Sequence, residues 1–466
     1  MVQKTPHPLE RSIAEDGVQL SHFLITGLHD RQNIRLDFND RYTIFVADNG
    51  VGKTTSLYIL QAILNQDWAK ATRFSFNKVE LSFSNGSIFR INRRDIVNRP
   101  ITKSLMRFIR NSNIEEREVF QLANMARHHS ASELRESPYF RRMLAQTHWS
   151  SSRLLEMLRR FALEARDDED LFSDGWDEIN ALREFIKSSF PHDVIYLPTY
   201  RRIEQDLNLL IERSIEEQSS MFGPAIRFGM NDVQKRIDET GKAVRDYLAK
   251  TYASISGQML HQLIQPSGIS DDIRIQLHDL EDIEAILSRL SNYVSEEDKR
   301  YILSLASDGQ LQSNPHLSFF LSNLINAYHE ISETEYSLMD LAEVCNRYFN
   351  DKSFGYDPSS ASLKLYDTLA GGELSLSSLS SGEKQLVGVL SQVFLSESNS
   401  NIVIYDEPEL SLSVEWQRNL LPDIVSSSKC WALVACTHSP FVFENELDGN
   451  ARSLHWEIDL SGEESD

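Results

Sequence analysis

A glycine-rich loop near the amino terminus has the residue types that hold phosphate groups. Residues 47–54 read ADNGVGKT and directly follow the apolar segment YTIFV. Glycines let backbone N–H groups come close to a phosphate, and the positive end of a following helix attracts the anion. In this pattern Lys53 reaches the β- and γ-phosphates of a nucleotide, and the Thr54 hydroxyl binds Mg²⁺. We expect the other nucleotide contacts of the loop to come from Asn49, Gly50, Val51, Gly52 and Thr55.

A pair of carboxylates follows a second apolar segment, more than 300 residues later in the chain. Residues 402–408 read IVIYDEP, so Asp406 and Glu407 stand at the end of a predicted buried strand. Asp406 would hold Mg²⁺, directly or through water, and Glu407 would orient and deprotonate an attacking water. An adjacent Asp-Glu pair is most often surface charge, but the apolar residues before it favour the catalytic interpretation.

The segment LSSGEKQ, residues 379–385, supplies a phosphate contact of another kind. Ser380 and Glu383 fit the S-x-x-E capping box, so the segment predicts a helix start whatever its function. In the functional interpretation, Ser380, Ser381 and the N–H groups near Gly382 bind the γ-phosphate that an opposing subunit holds. A site divided in this way needs a second copy of the protein to complete it.

A histidine after a third apolar segment completes the set of candidate residues. The tetrapeptide THSP, residues 437–440, follows WALVAC, and His438 is placed there to sense the γ-phosphate. A lone histidine is more often structural, but its position one strand after the Asp-Glu pair favours the functional interpretation. Ala47 replaces the first glycine of the phosphate loop, which requires an ordinary φ at that residue.

Strand and helix patterns around these motifs predict a mixed α/β fold. Residues 19–27 and 33–38 read as two strands, and residues 78–83 and 87–93 read as a hairpin with an Asn-Gly turn. After residue 351 strands alternate with helices, which indicates a largely parallel sheet covered on both faces.

The middle of the chain has helical periodicity on both sides of a predicted strand at residues 193–197, with a break near residues 130–137. Its best segment, residues 231–264, would be about 50 Å long if it forms one helix. Gly241 and Gly257 should weaken that helix by up to about 1 kcal/mol each. No heptad repeat continues beyond it, so we expect a short helical arm rather than a long coiled coil.

Charge limits the partners that the chain can have. The net charge is −22, from 47 basic and 69 acidic residues, so duplex DNA would be repelled except at a local basic patch. Residues 90–110 hold seven Arg or Lys and one Asp, whereas residues 164–178 are strongly acidic. Each segment is either solvated surface or a contact with a partner or nucleic acid.

The location of the protein is also constrained by composition. No apolar run approaches the roughly 18 residues of a membrane helix, and the polar residues 1–17 do not read as a signal peptide. Cys345, Cys430 and Cys436 show no metal-ligand spacing, so we expect three buried, unlinked thiols. A reducing cytoplasm is the expected location, and no membrane partner is expected.

Together the four motifs make the chain resemble the SMC/RecF/OLD branch of ABC-type ATPases. The resemblance implies ATP and Mg²⁺ as ligands. It also implies an α/β fold, an ABC-type P-loop ATPase head made from amino- and carboxyl-terminal lobes, with a large helical insertion that forms a short coiled-coil arm. The predicted division is a polar tail at 1–17, an amino-terminal ATPase lobe at 18–100, a helical insertion at 101–190, a return strand at 191–204, a helical arm at 205–350 and a carboxyl-terminal ATPase lobe at 351–466.

Within this branch the chain looks most like the ATPase subunit of the PARIS anti-phage system, with Septu and retron-associated ATPases as close alternatives. The features that carry this resemblance are the segment YLPTYRRIE at 196–204, the acidic balance and the modest size. That segment lies where ABC folds have their Q-loop, yet it has no glutamine, and Gln205 comes a few residues late. Arg201 and Arg202 either contact the nucleotide, couple the arm to the site, or make surface salt bridges.

The resemblance implies three partners. They are further copies of the chain in ATP-sandwich dimers, a separate Toprim-type effector nuclease that the ATPase scaffolds and restrains, and a phage-encoded trigger protein. Only 28 residues follow His438, so we expect any nuclease to be another protein. Two other interpretations stay open: a RecF- or SMC-like DNA-repair ATPase that contacts DNA through residues 90–110, and the ATPase of a transporter, which the large insertion disfavours.

Overall fold

A computed structural model describes two compact units of the chain. The described residues are 17–48, 50–97, 122, 125–126, 131–147, 150–164, 174–198, 229–264, 280–290 and 294–458. The first unit comprises Met1–Glu15, Asn39–Leu57 and His192–Leu454, and the second comprises Asp16–Phe38, Tyr58–Pro191 and His455–Asp466. None of the described helices is both long enough and apolar enough to cross a membrane.

The described part of the chain contains strands at both of its ends. In chain order they are β1 Leu20–Leu28, β2 Gln32–Asp37, β3 Tyr42–Val46, β4 Lys78–Phe83, β5 Ile88–Asn92, β6 Asp193–Leu197, β7 Lys352–Asp357, β8 Ser362–Asp367, β9 Glu373–Leu374, β10 Asn401–Asp406, β11 Cys430–Thr437, β12 Ala451–Ser453 and β13 His455–Ile458. The predicted strands and the predicted hairpin of β4 and β5 are therefore confirmed, with small differences at their ends.

Helices fill the middle of the chain and separate the carboxyl-terminal strands. In chain order they are α1 Lys53–Leu64, α2 Trp68–Ala71, α3 Arg93–Val97, α4 Ala131–Glu136, α5 Pro138–Thr147, α6 Ser151–Glu164, α7 Asp174–Ser189, α8 Met230–Ile264, α9 Leu280–Arg289, α10 Glu296–Ser307, α11 Pro315–Asn346, α12 Ser381–Phe394 and α13 Val414–Ser426. The predicted break at residues 130–137 is wrong over most of its length, because α4 occupies it and the chain only bends at Ser137.

A parallel sheet in the first unit positions the candidate residues. Its strand order is β12-β3-β11-β10-β6, and each neighbouring pair is parallel. The register pairs Val46 with Thr437 and Asp406 with Cys436, so the strands β3, β11 and β10 end at one edge. Because neighbouring strands lie about 4.8 Å apart, chain segments distant in sequence meet at this carboxyl edge. The predicted parallel sheet is confirmed.

Two antiparallel sheets accompany the parallel one. The first unit also contains the sheet β7-β8-β9, and the second unit contains the sheet β13-β2-β1-β4-β5. The last strand, β13, pairs with β2 near the beginning of the chain, just as β3 pairs with β11 and β12. Each unit is therefore built from both ends of the chain, which ties its folding to contacts of very long sequence separation.

The helices α8 and α11 form an antiparallel arm in the first unit. Near the base, Val233 and Ile237 of α8 pack with Leu338 and Leu341 of α11 in the core that contains the parallel sheet. At the far end, Ile255 belongs to an apolar cluster with residues of α9, α10 and the start of α11. The predicted continuous helix over 231–264 is confirmed, and its 35 residues span about 50 Å.

All three cysteines are buried free thiols, as predicted. Burial, with the Asp423 carboxylate nearby, raises the pKa of Cys345 above its usual range, and burial raises the pKa of Cys430 to about 12. Neutral thiols in apolar surroundings are unreactive packing groups.

The two glycines of α8 have opposite roles, which the sequence alone did not distinguish. A Cβ at Gly241 would lie 2.3 Å from the carbonyl oxygen of Ala361 at the β7–β8 turn, whereas a Cβ at Gly257 would meet nothing within 4 Å. Arg245, one turn after Gly241, donates to the same carbonyl at 3.1 Å. Gly241 therefore allows the turn to approach the helix backbone, and its presence is not simply a cost in helix propensity.

We expect Gly241→Ala to lower the free energy of unfolding of the first unit by about 1–3 kcal/mol, because backbone must move to relieve the clash. Gly257→Ala, the matched control in the same helix, should raise it by up to about 1 kcal/mol through helix propensity. Denaturant melts followed by circular dichroism give both values. Equal stabilisation by the two substitutions would contradict the close packing of Ala361 on Gly241.

Candidate nucleotide site

The phosphate loop has the backbone conformation that its glycines predict. Gly50 and Gly52 have φ values of +88° and +87°, which side-chain-bearing residues rarely adopt. A Cβ at Gly50 would meet nothing within 4 Å, so the backbone conformation is what requires glycine there. Ala47, which replaces the first glycine of the loop, does not have a positive φ. It therefore has the ordinary backbone conformation that a residue with a side chain requires there. Asn49 lies outside the described residues.

Lys53 begins α1 and folds back over the loop. Its side chain is only 4% exposed, and its Nζ donates to the carbonyls of Ala47 and, at 3.2 Å, Asp48. The ammonium is thus held at the mouth of the loop, beside the amino terminus of a 12-residue helix. A buried cation next to the positive end of a helix is a site for a multiply charged anion such as a phosphate.

The Asp-Glu pair lies at the end of β10, where the sequence placed it. Asp406 is fully buried, and Glu407 leaves the strand with a φ of +50° while its backbone N–H donates to the Cys436 carbonyl at 2.8 Å. A positive φ in a residue other than glycine costs on the order of 1–3 kcal/mol and often marks a functional position. Here it turns the chain sharply at the carboxyl edge of the sheet.

The thiol of Cys436 lies at the end of β11, between the strands β3 and β10. Its pKa is raised well above its usual range, first by burial and then by the charges of Asp406, Glu409 and Glu407, while Lys53 opposes them. Charges act at this strength over short distances inside a protein. The register brings these groups to one edge of the sheet, because β3, which leads into the loop of Lys53, and β10, which ends at Asp406, both pair with the end of β11.

The donor groups at this edge suit Mg²⁺ bound together with a nucleotide. The Thr54 hydroxyl at the start of α1 and the buried Asp406 carboxylate offer oxygen ligands of the kind that Mg²⁺ prefers. Among the described residues no three His, Cys, Asp or Glu side chains form a metal site by themselves.

His438 is held by a carboxylate that the motif analysis did not single out. Glu409 is 6% exposed, and its Oε1 lies 2.8 Å from His438 Nδ1 and accepts from the His438 backbone N–H at 3.0 Å. Its Oε2 accepts from the Thr437 hydroxyl at 2.8 Å. The only sequence signal for Glu409 was its position as a further acidic residue directly after the Asp-Glu-Pro triplet. Its partners could not be predicted because they lie on the neighbouring strand, β11.

The segment between β10 and α13 is tied to its surroundings on two sides. Gln385 of α12 donates to the Leu410 carbonyl at 3.0 Å. Gln417 of α13 donates to the Leu412 carbonyl at 3.0 Å and accepts from the Ser439 hydroxyl at 2.8 Å. These hydrogen bonds fix the segment that carries Glu407 and Glu409 relative to the helix that begins at the LSSGEKQ motif.

The helix α12 begins with the predicted capping box. The Ser380 hydroxyl accepts from the Glu383 N–H at 3.4 Å, and the Glu383 carboxylate accepts from the Ser380 N–H at 2.6 Å. Lys352 lies 3.2 Å from Glu383 and holds the box from the other side. Ser380 and Ser381 are exposed and Gly382 is half-buried. The positive end of α12 is therefore open to solvent in the first unit.

The structure leaves the remaining candidate segments only partly described. The strand β6 ends at the same carboxyl edge as β10, because Leu197 pairs with Tyr405. The residues that follow it, including Arg201, Arg202 and Gln205, lie outside the described residues.

Two of the three basic residues in the described part of the segment 90–110 make contacts within the protein. Arg90 pairs with Glu80 at 2.7 Å, and Arg93 donates to the carbonyls of Phe74 and Thr72, each at 3.0 Å. Of the acidic segment 164–178, Glu178 accepts from the backbone N–H of Arg90 at 2.9 Å. These contacts stabilise the second unit.

A parallel sheet whose carboxyl edge carries a phosphate loop, an Asp-Glu pair and a histidine, together with a capped helix, defines the class of P-loop ATPases. The sequence profile of the AAA ATPase domain family matches residues 19–443. The chain therefore belongs to this ATPase family, whose domain binds nucleotides. No curated protein matches the chain.

Solved structures that resemble the chain include three Smc heads. One is the Smc head domain with an extended coiled coil bound to the C-terminal domain of ScpA, from Pyrococcus furiosus (11% identity, 95% of this chain and 96% of that chain covered, TM-score 0.34). Another is the SmcHead bound to the C-winged helix domain of ScpA (9% identity, 95% of this chain and 98% of that chain covered, TM-score 0.33). The third is the Smc head domain with a coiled coil and joint from Pyrococcus yayanosii (11% identity, 95% of this chain and 97% of that chain covered, TM-score 0.28). At these TM-scores the likeness adds nothing to the family assignment.

Proposed function

We propose that this chain binds ATP with Mg²⁺, hydrolyses it, and pairs with a second copy of itself when ATP is bound. The observation that supports the proposal is the parallel register of β3, β11 and β10, which brings the loop of Lys53 and the Asp406–Glu407 pair to one edge of the sheet. A buried cation and several carboxylates at one sheet edge are the groups that phosphoryl transfer to water needs.

Each group has a role that follows from its chemistry. Lys53 and the backbone N–H groups of the loop bind the β- and γ-phosphates, and Thr54 and Asp406 hold the metal. Bound Mg²⁺ supplies neutralisation of the charge that develops on the phosphates. Glu407 accepts the proton of the attacking water. His438 contacts the γ-phosphate and so distinguishes ATP from ADP.

The exposed end of α12 gives the second copy its role. Ser380 and Ser381 sit at the amino terminus of a 14-residue helix, where a phosphate held by another copy is attracted by the helix dipole. When two copies close around two nucleotides, the α12 helix of each copy contacts the nucleotide that the other copy holds. Both contacts are then used, so the assembly is a closed twofold dimer. ATP then controls assembly, because the γ-phosphate supplies the link between the copies.

We expect Ser380→Arg to block this pairing without weakening ATP binding by the single chain. The arginine adds bulk and positive charge at the contact with the second copy, while the phosphate loop is unchanged. Size-exclusion chromatography with ATP, in the Glu407→Gln background, should show dimers for the parent and monomers for the arginine variant. Ser380→Ala is the matched control, because it removes the cap at a cost of about 1 kcal/mol but adds no bulk. Dimers of the arginine variant at parental affinity would contradict the proposed pairing.

We further propose that this ATPase serves an anti-phage defence system. In this role it scaffolds and restrains a separate Toprim-type nuclease and releases it when a phage-encoded protein is sensed. The segment YLPTYRRIE supports this role through its resemblance to the ATPase subunit of the PARIS system. The net charge of −22 also supports it, since an acidic ATPase is poorly suited to hold DNA directly.

Expression of the chain together with its neighbouring gene tests the defence role. We expect the neighbouring product to co-purify with the ATPase and the pair to protect cells from phage, and we expect Lys53→Ala to remove the protection. A monodisperse chain with no bound effector and no protection would overturn this role. Hydrolysis stimulated by DNA, with binding that persists at about 100 mM salt, would instead support the RecF-like alternative.

A further inference from the structure

A buried carboxylate beside His438 has no part in the roles assigned so far. Glu409 accepts two hydrogen bonds, from the Thr437 hydroxyl and the His438 backbone N–H, and its Oε1 also lies 2.8 Å from Nδ1 of the His438 ring. Its side chain is almost completely removed from water, at 5% exposure. Burying a carboxylate is costly unless donors satisfy it, and here its partners all come from two consecutive residues at the end of β11.

The ring of His438 depends on this contact for its position. The histidine side chain is 44% exposed, so packing alone leaves its ring free to rotate. The 2.8 Å contact of Nδ1 with a fixed carboxylate favours one ring orientation, in which Nε2 is the nitrogen left for another partner. The carboxylate is itself fixed, because the Thr437 hydroxyl and the His438 backbone N–H hold its two oxygens.

We propose that Glu409 is the positioning residue of the γ-phosphate sensor, and that it holds the His438 ring so that Nε2 meets the γ-phosphate. This inference rests on the proposed ATPase function and assigns a role within it. Glu409 does not touch the nucleotide in this arrangement. It acts through His438, and it links the sensor to the segment that carries Glu407, two residues before it in the chain.

A purely structural role for Glu409 makes a different prediction from a positioning role. If Glu409 only stabilised the turn after β11, its removal would lower activity whether or not the histidine was present. If Glu409 acts through the ring, its removal should cost nothing once the ring is gone. A double-mutant cycle with His438 separates the two cases.

The cycle uses Glu409→Ala, His438→Ala and the double variant, with ATP hydrolysis and ATP affinity measured for each. We expect Glu409→Ala to lower kcat by about 10- to 100-fold, as for other carboxylates that orient a histidine. ATP affinity should change by less than about threefold, because Lys53 supplies most of the binding. The double variant should hydrolyse ATP at the rate of His438→Ala alone.

Three control substitutions keep the proposal testable if the alanine variant does not fold. Glu409→Gln keeps the shape and an acceptor oxygen, so it should retain most of the activity. Glu409→Asp withdraws the carboxylate from the ring and should lower kcat without a change in melting temperature. Thr437→Val removes the hydroxyl contact of Glu409 but leaves the ring contact, and it should lower kcat by no more than about threefold.

Two results would overturn the inference, and they differ from failure of the proposed function. Equal losses from removing Glu409 with and without His438, or a wild-type rate for Glu409→Ala and Glu409→Asp, would show that Glu409 does not act through the ring. A wild-type chain that neither binds nor hydrolyses ATP would overturn the proposed function, and the inference with it.

Discussion

Replacing Lys53 with alanine is expected to abolish ATP binding. The Lys53 ammonium is buried, lies at the mouth of the phosphate loop and donates to the carbonyls of Ala47 and Asp48. Without it, the loop loses the ammonium group that pairs with the β- and γ-phosphates. Each lost charge-assisted hydrogen bond is worth about 1.5–3 kcal/mol, so the dissociation constant for ATP should rise at least 100-fold. Isothermal titration with ATP and Mg²⁺ measures the change.

Lys429 provides a matched control for this substitution. It is also a partly buried lysine that donates to a backbone carbonyl, that of Ser396, and burial lowers its pKa. It precedes β11 and therefore lies at the opposite edge of the same sheet. Lys429→Ala should leave ATP affinity within about twofold. Equal loss of ATP binding in the two variants would mean that a general loss of folding, and not the missing phosphate contact, explains the result.

Replacing Glu407 with glutamine is expected to stop hydrolysis while ATP binding is kept. Glutamine has the same shape, but its amide cannot take a proton from the attacking water. Removing a general base typically costs about 10²- to 10⁴-fold in rate, so kcat should fall within that range. Because ATP is no longer consumed, the ATP-bound dimer should accumulate. Single-turnover hydrolysis and size-exclusion chromatography with ATP measure the two effects.

Glu415 provides a matched control for the substitution of Glu407. Glu415 is an exposed acidic residue in the first turn of α13, eight positions after Glu407. Its change to glutamine should leave kcat unaltered, because it only removes a small helix-dipole contribution of about 0.3–1 kcal/mol. A normal rate of hydrolysis by Glu407→Gln would show that another group is the base. The catalytic assignment of the Asp-Glu pair would then be wrong.

Much of the fold was predictable because its signals are local. The alternation of apolar segments gave the strands β3, β10 and β11, and the glycines of the loop predicted the positive φ values found at Gly50 and Gly52. The capping box at Ser380 was predicted from four consecutive residues and is present. Such features depend on neighbours within one turn or strand, so the sequence displays them directly.

Other features could not be predicted because their causes are distant in the chain. The sequence suggested that Gly241 simply weakens a helix, whereas the carbonyl of Ala361, from a hairpin far along the chain, is what requires glycine there. Glu409 read as one more acidic residue, and only the pairing of β10 with β11 brings it to Thr437 and His438.

The sequence by itself determined the chemistry of this protein, and the tertiary structure decided which groups work together. Residue type and short spacing are enough to predict a phosphate loop, an Asp-Glu pair at a strand end and a helix cap, because each forms within one continuous segment. The order β12-β3-β11-β10-β6 is set by packing of the whole sheet. That order brings the loop of Lys53 to the edge where Asp406 and Glu407 lie, and it gives His438 a buried carboxylate neighbour, Glu409.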